Sequence, residues 1–404
     1  MIAFTALSII AALATAQGAP PQGPNPVMGG PPHDSVSSSS AGGGLQPQSV
    51  SYSGSAGQGQ GQGLDFFFFG DWGQNVPANE SESGVAFEEK KIANQISNFA
   101  AQVKPAFFLP LGDNLYPNGP TSSSDPIWQT SYRSIFTAPD TYVPWYPVLG
   151  NHDYFNNNSQ AEIDYYKERR DNRWTLPDYQ YTRTWTIPGS TKTMQIVFIN
   201  TPAICPEAEA GPGKIDWPTD PVQQKFIWQP AVQWVENTLA ASTADVLLVA
   251  GHYHIYTNTA GDTLAEGGTP EMFCLQARIN PLLKKYRVTA YLNGHEHNFE
   301  HHFIGGMNYL TAGHGCDVDD PMYPASPPGL LFNKTIGGFG WMHVSPDAVL
   351  NFTYVDLYGN SIYQNTIYNT RDSSISGRRS LRGSNWECFL LNVSGNCEPK
   401  VGPS

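Results

Sequence analysis

Basic side chains are scarce in this chain of 404 residues, which sets 22 Lys and Arg against 35 Asp and Glu for a formal net charge of −13. Nucleic acid is bound by a basic face, so that class of partner is excluded. Attraction for an anionic substrate must come from bound cations. Long apolar runs are also missing. The first one, Met1 to Ala16, is too short to span a bilayer and ends in Ala14-Thr15-Ala16, the small-x-small pattern of a secretory signal peptide, although no Lys or Arg precedes it. Nothing downstream is long enough to cross a membrane, so no membrane insertion is expected. Between Gln17 and Gly63 branched apolar residues almost vanish among Gly, Pro, Ser and Gln. Such a stretch cannot bury enough surface to offset its ordering entropy, and a disordered linker is expected over 17–63. Cysteines number five, enough in an exported chain for two disulfides and one remaining thiol. Cys388 with Cys397 would close a short loop, Cys205 with Cys274 is the pairing chosen for a long one, and Cys316 is left over.

What remains, residues 64–368, suits one large α/β domain, followed by a polar tail over 369–404. The aromatic content, 12%, fits a large sandwich core. Sequons at Asn79, Asn157, Asn333, Asn351 and Asn392 mark candidate N-glycans. Apolar spacing predicts helices over Phe87 to Val103, with Ile92, Ile96 and Phe99 on one face, and over Ala231 to Leu239.

Five short islands carry the chemistry: Gly70-Asp71-Trp72-Gly73, Gly112-Asp113-Asn114-Leu115-Tyr116, Gly150-Asn151-His152-Asp153, Gly251-His252-Tyr253-His254 and Gly294-His295-Glu296-His297. Each follows an apolar run predicted as a buried strand: Phe66 to Phe69, Ala106 to Leu111, Tyr146 to Leu149, Val246 to Ala250 and Val288 to Leu292. Ligands at the carboxyl ends of neighbouring strands converge. Two cations about 3.5–4 Å apart need a bridging carboxylate, and Asp113 is the natural bridge. Tyr116, three residues on, favours Fe(III), with Asp71 and His297 completing that site. Asp113 again, Asn151, His252 and His295 would hold Fe(II), Zn(II) or Mn(II). His295 and His297 flank Glu296, so one strand end can serve both metals. His152 points elsewhere and is the candidate donor to phosphate or to the leaving group.

This constellation resembles the calcineurin-like metallophosphoesterases, with two exchanges. Gly73 stands where the broad superfamily has a metal-binding His, and Tyr116 where it has Asp. That pair is the mark of the purple acid phosphatases, and the chain is most similar to their small tartrate-resistant subgroup. Val143-Pro144-Trp145-Tyr146, Val288-Thr289-Ala290-Tyr291-Leu292 and Gly337-Gly338-Phe339 also look like that subgroup. The resemblance implies an αββα sandwich of two mixed β-sheets flanked by helices, a purple tyrosinate–Fe(III) chromophore, and a disulfide that maps onto Cys205 and Cys274. It implies hydrolysis of phosphate monoesters, small or on phosphoproteins, by in-line attack of a metal-activated hydroxide. Asn151 and His152 would contact substrate.

Members of the subgroup carry Pro two residues after the lone His, then a substrate-contacting His nine residues beyond it. Here His254 replaces the Pro and the second His is missing. His254 is either a substitute donor to substrate or a solvent-exposed loop residue. A loop near Glu207 to Gln224 covers the site in the resembled subgroup and can be cleaved to raise activity. A monomer is expected, secreted, or alternatively lysosomal or vacuolar. Two other functions stay open: a phosphodiesterase or pyrophosphatase of the same fold, and a non-catalytic secreted iron-binding protein. His301, His302, His314 and His343 receive no role, the first two being read as solvated loop residues.

Overall fold

Four consecutive phenylalanines, Phe66 to Phe69, are all buried in the first strand, β1 (Leu64–Phe69). The computed structural model describes residues 63–74, 85–208, 227–316, 321–369 and 371. The proposed signal peptide, almost all of the linker, the sequons at Asn79 and Asn392, nearly all of the tail with Cys388 and Cys397, and most of the loop from Glu207 to Gln224 lie outside those residues. Helix α1 (Val85–Val103) follows, starting two residues before the predicted position, with Ile92 and Ile96 in the core. Strand β2 (Phe107–Pro110) then runs parallel to β1, and the rings of Phe66 and Phe107 stack 4.7 Å apart.

The predicted strand over Tyr146 to Leu149 does not form. That segment runs extended along β2, with Tyr146 N donating to Phe108 O (2.9 Å) and Val148 N to Pro110 O (3.0 Å). The rung between them, from residue 110 N to Tyr146 O, is missing because Pro110 has no N–H, so no continuous ladder is carried there. Helix α2 (Gln160–Lys167) and the hairpin β3 (Tyr181–Thr186) and β4 (Thr193–Phe198) come next. The one-turn helix α3 (Thr201–Ile204) and helix α4 (Gln229–Ala241) lead to β5 (Val246–Ala250). Helix α4 contains the predicted Ala231 to Leu239. Helices α5 (Pro270–Arg278) and α6 (Asn280–Lys285) precede β6 (Ala290–Asn293), β7 (Phe299–Ile304) and β8 (Met307–Ala312). The last strands are β9 (Leu330–Lys334), β10 (Gly338–Val344), β11 (Val349–Asp356) and β12 (Ser361–Tyr368).

These strands make two mixed sheets, of five strands in the order β12-β11-β10-β1-β2 and of seven in the order β3-β4-β5-β6-β8-β7-β9. Alternation along β5 shows how the layers stack. Val246, Leu248 and Ala250 enter the cluster shared with Phe66, Phe68 and Tyr354 of the other sheet, while Leu247 and Val249 meet Val235 and Leu239 of α4. A strand buried on both faces must be apolar at every position, which is why its sequence reads as an unbroken run. The fold is therefore the expected αββα sandwich. Cys205 and Cys274 form a disulfide joining the end of α3 to α5, and Cys316 is buried outside any disulfide.

Candidate metal centre

The five islands lie just beyond β1, β2, the extended segment, β5 and β6. Main-chain bonds bring their turns together: Asp71 N donates to Gly112 O (3.0 Å), Trp72 N to Asp113 O (3.0 Å), and Gly70 N to Ala312 O (2.7 Å) across the two sheets. Asp71, Asp113 and His295 have φ of 58°, 49° and 74°, a left-handed conformation uncommon outside glycine and concentrated at functional sites.

Two glycines are required by the geometry. Gly73 has φ of 78°, and a Cβ there would strike the Asn114 carbonyl oxygen. The imidazole that the wider superfamily places at this point has no room in this backbone. A Cβ on Gly150 would strike the Asp113 carboxylate.

The side chains gather into two groups that share Asp113. In the first, Tyr116 Oη lies 3.2 Å from Asp71 Oδ1, 2.9 Å from Asp113 Oδ2 and 3.1 Å from His297 Nε2. In the second, His252 Nε2 lies 3.0 Å from Asn151 Oδ1 and 3.3 Å from Asp113 Oδ1. One carboxylate oxygen faces each group. The His295 ring stands edge-on to that of His252, 5.0 Å between centroids, and its backbone N donates to Asp71 Oδ2 (2.9 Å). Asp71, Asp113, Asn151, Tyr116 and His252 form a buried floor. The side chains of His152, His295 and His297 are 32%, 22% and 21% exposed and make the rim.

The chemistry of these donors fits cations. His252 Nδ1 lies 2.9 Å from the Leu111 carbonyl, which can only accept, so this nitrogen donates. Burial pushes the His252 pKa down and keeps the ring neutral, leaving an Nε2 lone pair aimed at two further acceptors. Such a convergence is satisfied by a metal ion. Tyr116 repeats the pattern, with a single proton facing two carboxylate oxygens and an imidazole nitrogen. Burial, then the charges of Asp113 and Asp71, hold its phenol well above the ordinary value, and a phenolate there needs a cation. Among the described residues, Asp71, Asp113 and His252 group their donor atoms within 4.8 Å, and so do His254, His295 and Glu296.

His152 is fixed by other means. Its Nδ1 donates to Pro117 O (2.6 Å), its ring lies between those of Tyr116 and Phe155, and its Nε2 is 3.9 Å from Asp113 Oδ2. His254 departs from expectation. It is fully buried rather than solvent-exposed, with Nδ1 2.7 Å from Glu296 Oε1 and its ring stacked on His295. Burial alone would neutralise both partners, yet each holds the other charged: Glu296 falls to about 2 and His254 is raised. A side chain without accessible surface and paired through Nδ1 with Glu296 makes no substrate contact in this arrangement.

His301 and His302 are likewise buried, on β7, rather than solvated. His302 pairs with Glu300, and His301 bridges the sheets between Asn308 and Tyr363. Sequence reasoning gave no role to Thr201, whose Oγ1 accepts from the backbone N–H groups of His252 (3.1 Å) and Tyr253 (2.9 Å). It also passed over Glu271, 3.7 Å from His295. Asp153 and Asn114 stood inside the quoted islands without a function. Asp153 accepts from Gly150 N (2.8 Å) and Asn114 N (2.9 Å), tying the turns of the second and third islands together. Burial, then the charge of Asp113, pushes Asp153 up to about 7.

Residues 64–299 match the calcineurin-like phosphoesterase family. Tartrate-resistant acid phosphatase type 5 of rabbit, Oryctolagus cuniculus, is 31% identical over 312 residues, covering 74% of this chain and 90% of the relative. Purple acid phosphatase 3 of Arabidopsis thaliana is 29% identical, over 74% of this chain and 76% of its own. Among solved structures, GAP50, the anchor in the inner membrane complex of Plasmodium, superposes with a TM-score of 0.60 at 21% identity, covering 84% of this chain and 99% of that one.

Proposed function

The chain belongs to the calcineurin-like phosphoesterase family, among its tartrate-resistant and purple acid phosphatases, and from that premise we propose a secreted two-metal enzyme that hydrolyses phosphate monoesters. The observation that carries the reading is Asp113, whose two oxygens face two separate donor groups. Asp71, Asp113, Tyr116 and His297 would hold Fe(III). Asp113, Asn151, His252 and His295 would hold Fe(II), Zn(II) or Mn(II). Cations so held would supply Lewis-acid polarisation of a phosphoryl oxygen and a water acidic enough to act as nucleophile below neutral pH.

The rest of the chemistry belongs to side chains. Thr201 and Leu111 fix the backbone and ring of His252, so that Nε2 keeps one direction. Pro117 holds the Nδ1 proton of His152, which leaves Nε2 as the atom that carries a proton to the departing alkoxide. His152 is the most exposed of the rim histidines, as a group that must meet substrate requires.

Export agrees with the Cys205–Cys274 disulfide, since such bonds persist in oxidising compartments. No helix among the described residues is long and apolar enough to cross a membrane. Among the described sequons, Asn157 and Asn351 are exposed and are the ones best placed to carry glycans.

The test pairs a visible spectrum with release of p-nitrophenol from its phosphate monoester and diester at acid pH. A purple band together with faster monoester turnover supports the proposal. A colourless protein overturns the iron assignment, and faster diester turnover overturns the substrate class.

A further inference from the structure

We propose that Glu271 is the positioning residue for His295, and that the two short helices joined by the Cys205–Cys274 disulfide cradle the imidazoles of the second cation position. The inference rests on the two-metal reading above.

An imidazole can bind a cation through one nitrogen only when its other nitrogen carries the proton, and a carboxylate beside that second nitrogen sets the tautomer. Glu271 Oε1 lies 3.7 Å from His295 Nε2. With Nε2 turned to Glu271, Nδ1 is left for the site. The carboxylate starts from a fixed place, because Glu271 sits in the first turn of α5, two residues after its N-cap Thr269. His295 has a particular need for such a partner. Its backbone is left-handed at φ 74°, and among the described residues its ring meets those of Tyr253 and His252 edge-on and stacks on that of His254.

The other imidazole of this position is served by the other helix. Thr201, the first residue of α3, accepts from the backbone N–H of His252 at 3.1 Å. Cys205 caps the end of α3 and Cys274 lies three residues beyond Glu271, and the two are bonded. The disulfide therefore fixes Thr201 and Glu271 relative to one another. Glu271 faces His295 rather than Tyr116, so the device is assigned to one cation position of the two.

The experiment measures Zn(II) affinity by elemental analysis after dialysis against zinc-buffered chelator, together with the Tyr116-dependent visible band. Wild type, Glu271→Ala, Glu271→Gln, Glu271→Asp and Phe273→Ser on the exposed side of α5 are compared. Glu271→Ala is expected to bind Zn(II) about 10–100-fold more weakly with the band retained. Glu271→Gln, still an acceptor, should stay near wild type, and Phe273→Ser should match it. Should Glu271→Ala fail to fold, Glu271→Asp, which withdraws the carboxylate by one methylene, carries the same expectation. Unchanged Zn(II) affinity in Ala or Asp, or parallel loss of zinc and band in every variant, overturns the positioning role while leaving the two-metal reading intact. A wild-type protein that binds no metal overturns both.

Discussion

Tyr116 Oη lies 2.9 Å from Asp113 Oδ2, three residues back along the same turn. Both are buried, and the same hydroxyl faces Asp71 and His297. Removing the hydroxyl takes away a group that faces all three. Tyr116→Phe is expected to abolish any purple band and to cut phosphatase turnover by at least about tenfold, the scale of losing even an outer partner of a metal ligand. Absorbance and initial rates on one preparation check this. A coloured Tyr116→Phe protein would remove tyrosinate from the assignment.

His152 contributes a proton rather than a ligand in the proposed scheme, so its loss should depend on the leaving group. With an alkyl phosphate, His152→Ala is expected to fall about 10²–10⁴-fold. With p-nitrophenyl phosphate, whose leaving group needs little protonation, the drop should be clearly smaller. Equal losses on the two substrates would assign His152 to binding.

Gly73 is held at φ 78° against the Asn114 carbonyl. Gly73→His, which restores the residue of the wider superfamily, should cost at least about 1–2 kcal/mol for the left-handed backbone alone, with the clash added. Thermal unfolding without added metal reads this loss. A variant as stable as wild type would show that the turn can rearrange.

His301 makes stability depend on pH. Burial holds its folded pKa down at about 4, against about 6.5 in an unfolded chain. Below pH 6.5 the unfolded state takes up a proton that the folded state refuses, so stability is complete above that pH and declines as pH falls towards 4. Below 4 both states are protonated and the loss ends. The total is on the order of 3 kcal/mol. Melting temperatures across this window should fall less steeply in His301→Gln than in wild type, and identical slopes would refute the assignment.

The five islands were legible because each sits within a few residues of the end of a buried apolar segment, a purely local signal. The same locality explains why β5 and β6 were found while the stretch over Tyr146 to Leu149 was misread. Hydrophobicity identified it as buried, but Pro110 on the strand beside it has no N–H for the next rung and interrupts the ladder. His254 was beyond a one-dimensional reading, since its burial depends on Glu296, 42 residues away, being turned out of the ligand row. His301 and His302 looked like loop residues, and only pairing with β8 and β9 places them inside the sandwich. Glu271 gave no signal at all. A lone acid in a helix's first turn is commonplace, and its meaning comes from a histidine brought to it by the fold.

The donors come from both halves of the sandwich: Asp71, Asp113 and Tyr116 hang from the five-stranded sheet, and His252, His295 and His297 from the seven-stranded one. An ion seated among them is then also a rivet through the two layers. Occupancy at 100 times the dissociation constant adds about 2.7 kcal/mol to any fold that binds only when folded, and here that increment falls on the seam where the layers would otherwise part. Chelation should consequently do more than silence the enzyme; it should lower the barrier to prying the two sheets apart and expose the phenylalanines between them.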